Sequence, residues 1–97
     1  MKFRLLDEAF LELEQAVDYY NLERLGLGDE FSDEVVRSIE RIAEYPSAWQ
    51  SVSNRTRRCI TRRFPYGIIY QLREDELLIV SIFHLHRKPD DWLDRIS

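Results

Sequence analysis

The chain has few of the residues that mark several large protein classes. Its 97 residues include one cysteine, three glycines and three prolines. A lone Cys59 can form neither an internal disulfide nor a thiolate metal cluster, which excludes a disulfide-stabilised secreted mini-protein. With 44% hydrophobic and 33% charged residues, the composition also excludes a disordered or low-complexity chain. We therefore expect one globular domain over residues 1–97.

Long apolar segments are missing as well. No run approaches the roughly 18 residues that a membrane helix needs. The N-terminus, Met1 to Asp7, lacks the apolar stretch of a signal peptide. The sequence therefore predicts a cytoplasmic protein without a membrane partner.

Lysine is scarce, and charge is unevenly distributed. Of 14 basic residues only Lys2 and Lys88 are lysines, and the net charge is −4. Residues 1–50 carry 12 acidic and 5 basic side chains, and residues 51–97 carry 6 and 9, so the halves have charges of −7 and +3. Five arginines fall within nine positions: Arg55, Arg57, Arg58, Arg62 and Arg63.

This arginine group has two interpretations. On a strand, Arg58 and Arg62 would share one face and Arg57 and Arg63 the other. The group could be a charged edge strand that discourages aggregation. It could instead bind anions, either a phosphate backbone or the acidic side chains of a protein partner, because guanidinium groups suit both.

Apolar periodicity predicts the order of the elements. Residues 2–6 indicate a strand, and Asp7 is a candidate cap for a helix that ends near Gly26. A second helix is expected from about Asp29 to Tyr45. Residues 57–64, 66–72 and 77–86 are rich in β-formers and predict three antiparallel strands, before a short helix at 90–96. The fold class is α+β: an N-terminal strand, a helical hairpin packed on an antiparallel sheet of about four strands, and a short C-terminal helix. Its expected core comprises Phe31, Val35, Ile39, Ile42, Val80 and Ile82.

Two histidines are the main candidates for chemistry. His84 and His86 lie two residues apart on a strand, hence on one face, and Arg87 follows them. Imidazole titrates near neutral pH, so these residues are candidates for general acid–base catalysis of phosphoryl transfer. No third ligand is evident for a metal, and no nucleotide-binding loop, zinc spacing or catalytic triad occurs. We expect no metal and no cofactor.

The C-terminal half carries a more specific pattern. Arg63-Phe64-Pro65-Tyr66 is followed by Ile69-Tyr70, by the apolar run Leu78 to Phe83, and by His84-Leu85-His86-Arg87-Lys88-Pro89-Asp90-Asp91-Trp92. This resembles the ParE branch of the RelE/ParE toxin superfamily, and Tyr19-Tyr20, Phe31 and Tyr45-Pro46 of the first half look like the same family. The resemblance covers nearly the whole chain.

The resemblance implies a prokaryotic toxin of a type II toxin–antitoxin module, a class associated with plasmid stabilisation. A cognate antitoxin would wrap the sheet and helices. ParE-like relatives poison DNA gyrase without known catalysis, whereas RelE-like relatives cut mRNA on the ribosome. By this resemblance the residues expected to contact the target or the antitoxin are Arg58, Arg62, Tyr66, Tyr70, Arg87 and Trp92.

Net charge separates the two kinds of target. A ribosome-bound nuclease gains affinity from many cationic side chains, whereas this chain is acidic. The sequence therefore favours a protein target such as gyrase, with no direct sequence-specific DNA binding by this chain alone. The alternative is a RelE-type endoribonuclease that uses His84, His86 or Arg87, and a third possibility is a relic without target activity.

Overall fold

Two helices and a five-stranded sheet account for most of the chain. The computed structural model describes residues 1–87 and 89–96, and of residues 89–91 only the backbone, so Lys88 of the C-terminal motif lies outside the described residues. The elements are β1 (Lys2–Leu5), α1 (Asp7–Glu23), α2 (Leu27–Glu44), β2 (Gln50–Ser51), β3 (Arg57–Ile60), β4 (Tyr66–Arg73), β5 (Glu76–His84) and a C-terminal 3-10 helix (Pro89–Arg95). The predicted α+β class is confirmed. Within the described ranges, no helix is long and apolar enough to cross a membrane.

The sheet is mixed rather than purely antiparallel. Its strand order is β1-β5-β4-β3-β2, and β1 pairs parallel with β5 while the other pairs are antiparallel. Parallel pairing is possible because both helices and three strands separate β1 from β5 along the chain, so no tight turn joins them. The extra strand, β2, lies between the second helix and the strand predicted at 57–64, and it pairs Gln50 with Arg58.

Both helices begin differently from the prediction. Asp7 is the first residue of α1 rather than its cap, and Leu6 at the cap position makes no side-chain hydrogen bond. Asp7 instead places negative charge in the first turn, which complements the helix dipole. The second helix begins earlier than predicted, at Leu27, because Asn21 Oδ1 accepts the backbone N–H groups of Gly26 and Gly28 at 3.1 and 2.8 Å and orders the connection.

Strand β3 is shorter than the predicted strand 57–64. It ends at Ile60, where a bend begins. The Thr61 hydroxyl donates to the Phe64 carbonyl at 2.6 Å, and the Thr61 N–H donates to the Tyr66 carbonyl at 3.0 Å. The Arg62 N–H donates to Glu34 Oε2 at 2.8 Å. These bonds take residues 61–65 out of the sheet, so the predicted alternation of arginines does not extend to Arg62 and Arg63.

Apolar side chains cover both faces of the sheet. On the helix side, Phe31, Val35, Ile39 and Ile42 of α2 pack with Ile82, as predicted. Val80 does not join them: it lies on the opposite face in a second cluster with Leu78, Phe83 and Trp92. A register irregularity between β4 and β5 pairs Ile69 with Ser81 but Tyr70 with Ile79, which leaves Val80 as an extra residue. Such a bulge inverts the side-chain alternation beyond it, so Val80 and Ile82 face opposite sides.

Candidate functional site

A cleft of about 630 Å³ lies between α1, the end of β5 and the C-terminal 3-10 helix. Strand β5 ends at His84, and the turn that follows carries His86 and Arg87, so all three lie at the cleft. Tyr66 enters from the first position of β4, opposite His84 in the sheet. Tyr19 enters from the exposed side of α1. The structure thus brings together the three predicted catalytic candidates and Tyr66.

His84 is held in one tautomer by the backbone. The His86 N–H donates to Nδ1 of His84 at 3.1 Å, so Nδ1 acts as an acceptor and the ring proton of the neutral form lies on Nε2. The rings of Tyr66 and His86 each lie 5.2 Å from the His84 ring, centroid to centroid. Burial lowers the pKa of His84, and the nearby His86 and Arg87 lower it further. His84 is therefore a neutral hydrogen-bond donor at physiological pH.

The two tyrosines of the cleft also remain protonated. A hydrogen bond to the Glu23 carboxylate and its negative charge raise the pKa of the Tyr19 hydroxyl. Burial raises the pKa of Tyr66. Both hydroxyls are consequently hydrogen-bond donors rather than bases at neutral pH.

Among the described residues that line the cleft, one carries a carboxylate, and that carboxylate already accepts hydrogen bonds. Glu12 Oε1 accepts hydrogen bonds from Nη1 of Arg95 at 2.8 Å and from the Ile82 backbone N–H at 3.0 Å. Glu12 Oε2 accepts a hydrogen bond from Nη2 of Arg95 at 3.2 Å. The Ser81 hydroxyl donates to the same carboxylate at 3.1 Å. Because both oxygens of Glu12 already accept hydrogen bonds, this carboxylate is poorly suited to act as a general base.

The cleft offers limited chemistry. His84 Nε2 and His86 are the groups that could exchange a proton with a ligand, and Arg87 could hold an anion. Among the described residues, no group of three His, Cys, Asp or Glu side chains could hold a metal ion. The arrangement suits hydrogen bonding to a partner better than paired acid–base chemistry.

Three of the arginines that the sequence groups together contact different partners in the structure. Arg57 Nη1 donates to the Trp49 carbonyl at 2.6 Å, and Arg58 Nη2 donates to Gln50 at 2.7 Å. Arg63 forms an ion pair of 2.6 Å with Glu30. The side chain of Arg62 is exposed at the bend after β3. The predicted anion-binding stripe with Arg58 and Arg62 on one face does not form.

Three of the residues expected at a binding surface are buried, and two of these border the cleft. Tyr70 is 1% exposed and its hydroxyl donates to the Pro46 carbonyl. Trp92 is 6% exposed and packs in the cluster behind the sheet, although its edge borders the cleft. Tyr66 is buried but lines the cleft. Arg62 and Arg87 are the exposed members of the predicted set.

Sequence reasoning missed three residues of the cleft. Glu12 and Arg95 are 83 positions apart, and no local pattern indicates that they pair. Tyr19 did carry a signal, because it lies one position off the buried stripe of α1 and is 57% exposed. An aromatic residue outside the core stripe is a candidate for a contact surface.

Comparison with known proteins agrees with the fold. A solved structure described as the chromosomal ParDE TA system from P. aeruginosa is similar over 89% of this chain and 97% of that chain, with a TM-score of 0.77 and 16% sequence identity. At this identity the likeness concerns the fold. No curated protein matches at a significant level. The sequence model of a family described as the ParE toxin of the type II toxin-antitoxin system, parDE, matches residues 3–89. Because that match spans most of the chain, the chain belongs to the ParE toxin family of type II toxin–antitoxin systems.

Proposed function

We propose that this ParE-family chain acts in the cytoplasm as a toxin that binds DNA gyrase stoichiometrically, and that a cognate antitoxin neutralises it. The family match over residues 3–89 supports the toxin assignment. The ParE-like pattern from Arg63 to Trp92 supports gyrase as the target, because ParE-like relatives poison that enzyme.

The composition of α1 carries the choice of a protein target. This helix forms one wall of the cleft, and each of its charged side chains is acidic: Asp7, Glu8, Glu12, Glu14, Asp18 and Glu23. Glu12 alone among these six lines the cleft, where it is paired with Arg95, and the other five are exposed on the surface of α1 outside the lining. An RNA chain that extends from the cleft over α1 would meet their negative charge. Phosphate chains gain affinity from neutralising cations, and like charges reduce it. A folded protein surface does not require such neutralisation.

The chemistry of the cleft supports the same choice. Glu12 is engaged by Arg95 and by main-chain and hydroxyl donors, so it is poorly suited to pair with His84 in acid–base catalysis. The hydroxyls of Tyr19 and Tyr66 have raised pKa values and do not serve as bases. Among the described residues of the cleft, this leaves an endoribonuclease His84, His86 and Arg87 as candidate groups.

The proposal is tested by assaying both activities with one preparation. Purified protein is titrated against gyrase in a supercoiling assay, and mRNA ends are mapped in a translating extract at the same concentrations. His84→Ala, His86→Ala and Arg87→Ala are compared with Arg37→Ala, a control at an exposed arginine of α2.

The two mechanisms give different patterns. We expect supercoiling inhibition that saturates near equimolar toxin, with Arg87→Ala at least as impaired as the histidine variants. Removal of a general acid or base lowers a nuclease rate by about 10²- to 10⁴-fold. New mRNA ends that disappear in His84→Ala or His86→Ala, with supercoiling intact, would establish the nuclease instead.

A further inference from the structure

A second pocket lies at the β2 edge of the sheet and shares no residue with the cleft. Its volume is about 280 Å³. Its walls come from the loop after α2, from β2 and the segment that joins it to β3, from the first residue of β3, and from β4. They include Ser47, Ser53, Arg55 and Arg57. None of the described residues that line it is acidic. The pocket therefore has a formal charge of +2 from its two arginines.

Three carbonyl groups around this pocket are already bonded to donors. The Trp49 carbonyl accepts Nη1 of Arg57, and the Pro46 carbonyl accepts the Tyr70 hydroxyl. The Ser53 carbonyl accepts the Ser51 hydroxyl at 2.9 Å. These three carbonyls therefore have less acceptor capacity left for a ligand.

Several donors remain available. Arg55 is exposed, and its guanidinium forms no ion pair with any described residue. Arg57 is fixed by its bond to Trp49 and retains further N–H groups. The hydroxyls of Ser53 and Thr56 bond to each other, which leaves one of their two protons for a ligand. This excess of donors favours an anion.

We propose that this pocket binds a phosphate dianion, either inorganic phosphate or the terminal phosphate of a phosphomonoester. A phosphomonoester carries a charge of about −1.5 to −2 at pH 7 and offers three acceptor oxygens, which matches two guanidinium groups with neighbouring hydroxyls. A carboxylate has one negative charge and would leave the second guanidinium uncompensated. The site is independent of the proposed toxin activity.

The test is an amide NMR titration of the intact chain at constant ionic strength. The probes are inorganic phosphate, AMP, adenosine and acetate. The variant is Arg55→Gln, which keeps the fixed Arg57 in place, and the matched control is Arg37→Gln on the exposed side of α2.

We expect saturable shifts at Ser47, Arg55 and Arg57 with phosphate and AMP but not with adenosine or acetate. Tighter binding of AMP would identify a phosphomonoester as the ligand, and equal binding would identify phosphate itself. Affinity should fall by about tenfold or more in Arg55→Gln and remain unchanged in Arg37→Gln, because a charge-assisted bidentate contact is lost. It should also fall between pH 7.5 and pH 5.5, as phosphate becomes a monoanion.

Three results would overturn the proposal. Equal shifts with acetate would show general anion attraction. Unchanged affinity in Arg55→Gln would remove the site from this pocket. Shifts scattered over the surface without saturation would indicate an adventitious ion only.

Discussion

Glu12 and Arg95 form a two-pronged ion pair that joins α1 to the C-terminal 3-10 helix, with Oε1–Nη1 and Oε2–Nη2 distances of 2.8 and 3.2 Å. Strand β1 pairs with β5 as far as Ile79, and beyond it Glu12 accepts the Ile82 N–H while Arg95 donates to the Val80 carbonyl. The pair thus covers polar groups of β5 that lie beyond the end of β1. This matters because unpaired backbone groups in a protected position are costly.

We predict that Glu12→Ala is strongly destabilising. It removes an acceptor shared by Arg95, Ile82 and Ser81, and each loss of a hydrogen bond to a charged group costs about 1.5 to 3 kcal/mol. Urea unfolding measures the change, with Glu14→Ala on the exposed side of α1 as the matched control. Equal stability of the two variants would show that the ion pair contributes little to the fold.

The pH dependence of His84 follows from its lowered pKa. In the unfolded chain His84 has the ordinary histidine pKa of 6.5, and in the folded protein its pKa is lower. At a pH between these two pKa values the unfolded state therefore binds more protons than the folded state. The contribution of His84 to the free energy of unfolding is therefore fully present above pH 6.5. It is lost as the pH falls from 6.5 toward the pKa of His84 in the folded protein. NMR titration should give His84 a pKa below 6.5, and Arg87→Gln should raise it in part, because burial remains the larger cause. A pKa of 6.5 or above in the wild type would contradict the geometry at Nδ1.

Gly28 is predicted to be far less tolerant than Gly26. A Cβ atom at Gly28 would lie 2.2 Å from the Val17 carbonyl oxygen of α1, so the two helices would have to separate. Gly26 has a φ of +91° but open space around it, and alanine there costs about 1 to 2 kcal/mol of backbone strain. Thermal unfolding of Gly28→Ala and Gly26→Ala should rank them in that order. The reverse order would mean that the hairpin connection, not the helix contact, limits stability.

Local patterns were sufficient for the fold class but not for the register of the sheet. Helical periodicity located α1 and α2, and β-forming residues located β4 and β5. The failures have one physical source, which is interaction across long sequence separations. The bulge at Val80 depends on how β5 pairs with β4, and the early end of β3 depends on Thr61 and on Glu34 from α2. Neither the bulge nor the early end of β3 can be inferred from the alternation of apolar and polar residues along the strand itself.

The sequence predicted only those residues of the candidate site that are neighbours along the chain. His84, His86 and Arg87 adjoin one another along the chain, and their common location follows from the end of one strand. Glu12 and Tyr19 reach the same cleft through the packing of α1 on β5, which no spacing indicates. The arginine group shows the opposite case, because neighbours in sequence are separated by a bend.

The last prediction concerns the antitoxin. Arg62 and Arg87 are exposed on different parts of the molecule, whereas Arg58 is tied to Gln50 beside β2. If acidic side chains of the antitoxin contact these arginines, charge reversal converts attraction into repulsion. Losing one partner of a desolvated charge pair costs about 2 to 5 kcal/mol of binding free energy.

We therefore expect Arg62→Glu and Arg87→Glu each to weaken the complex with the proposed cognate antitoxin, as measured by titration calorimetry. Arg37→Glu introduces the same charge change on the exposed side of α2 and is expected to bind normally. Arg58→Glu is interpreted together with its unfolding curve, because Arg58 also supports the pairing of β2 with β3. Normal binding by the Arg62, Arg87 and Arg58 variants would show that the antitoxin is held through apolar contacts instead, since salt and charge would then have no influence on the affinity.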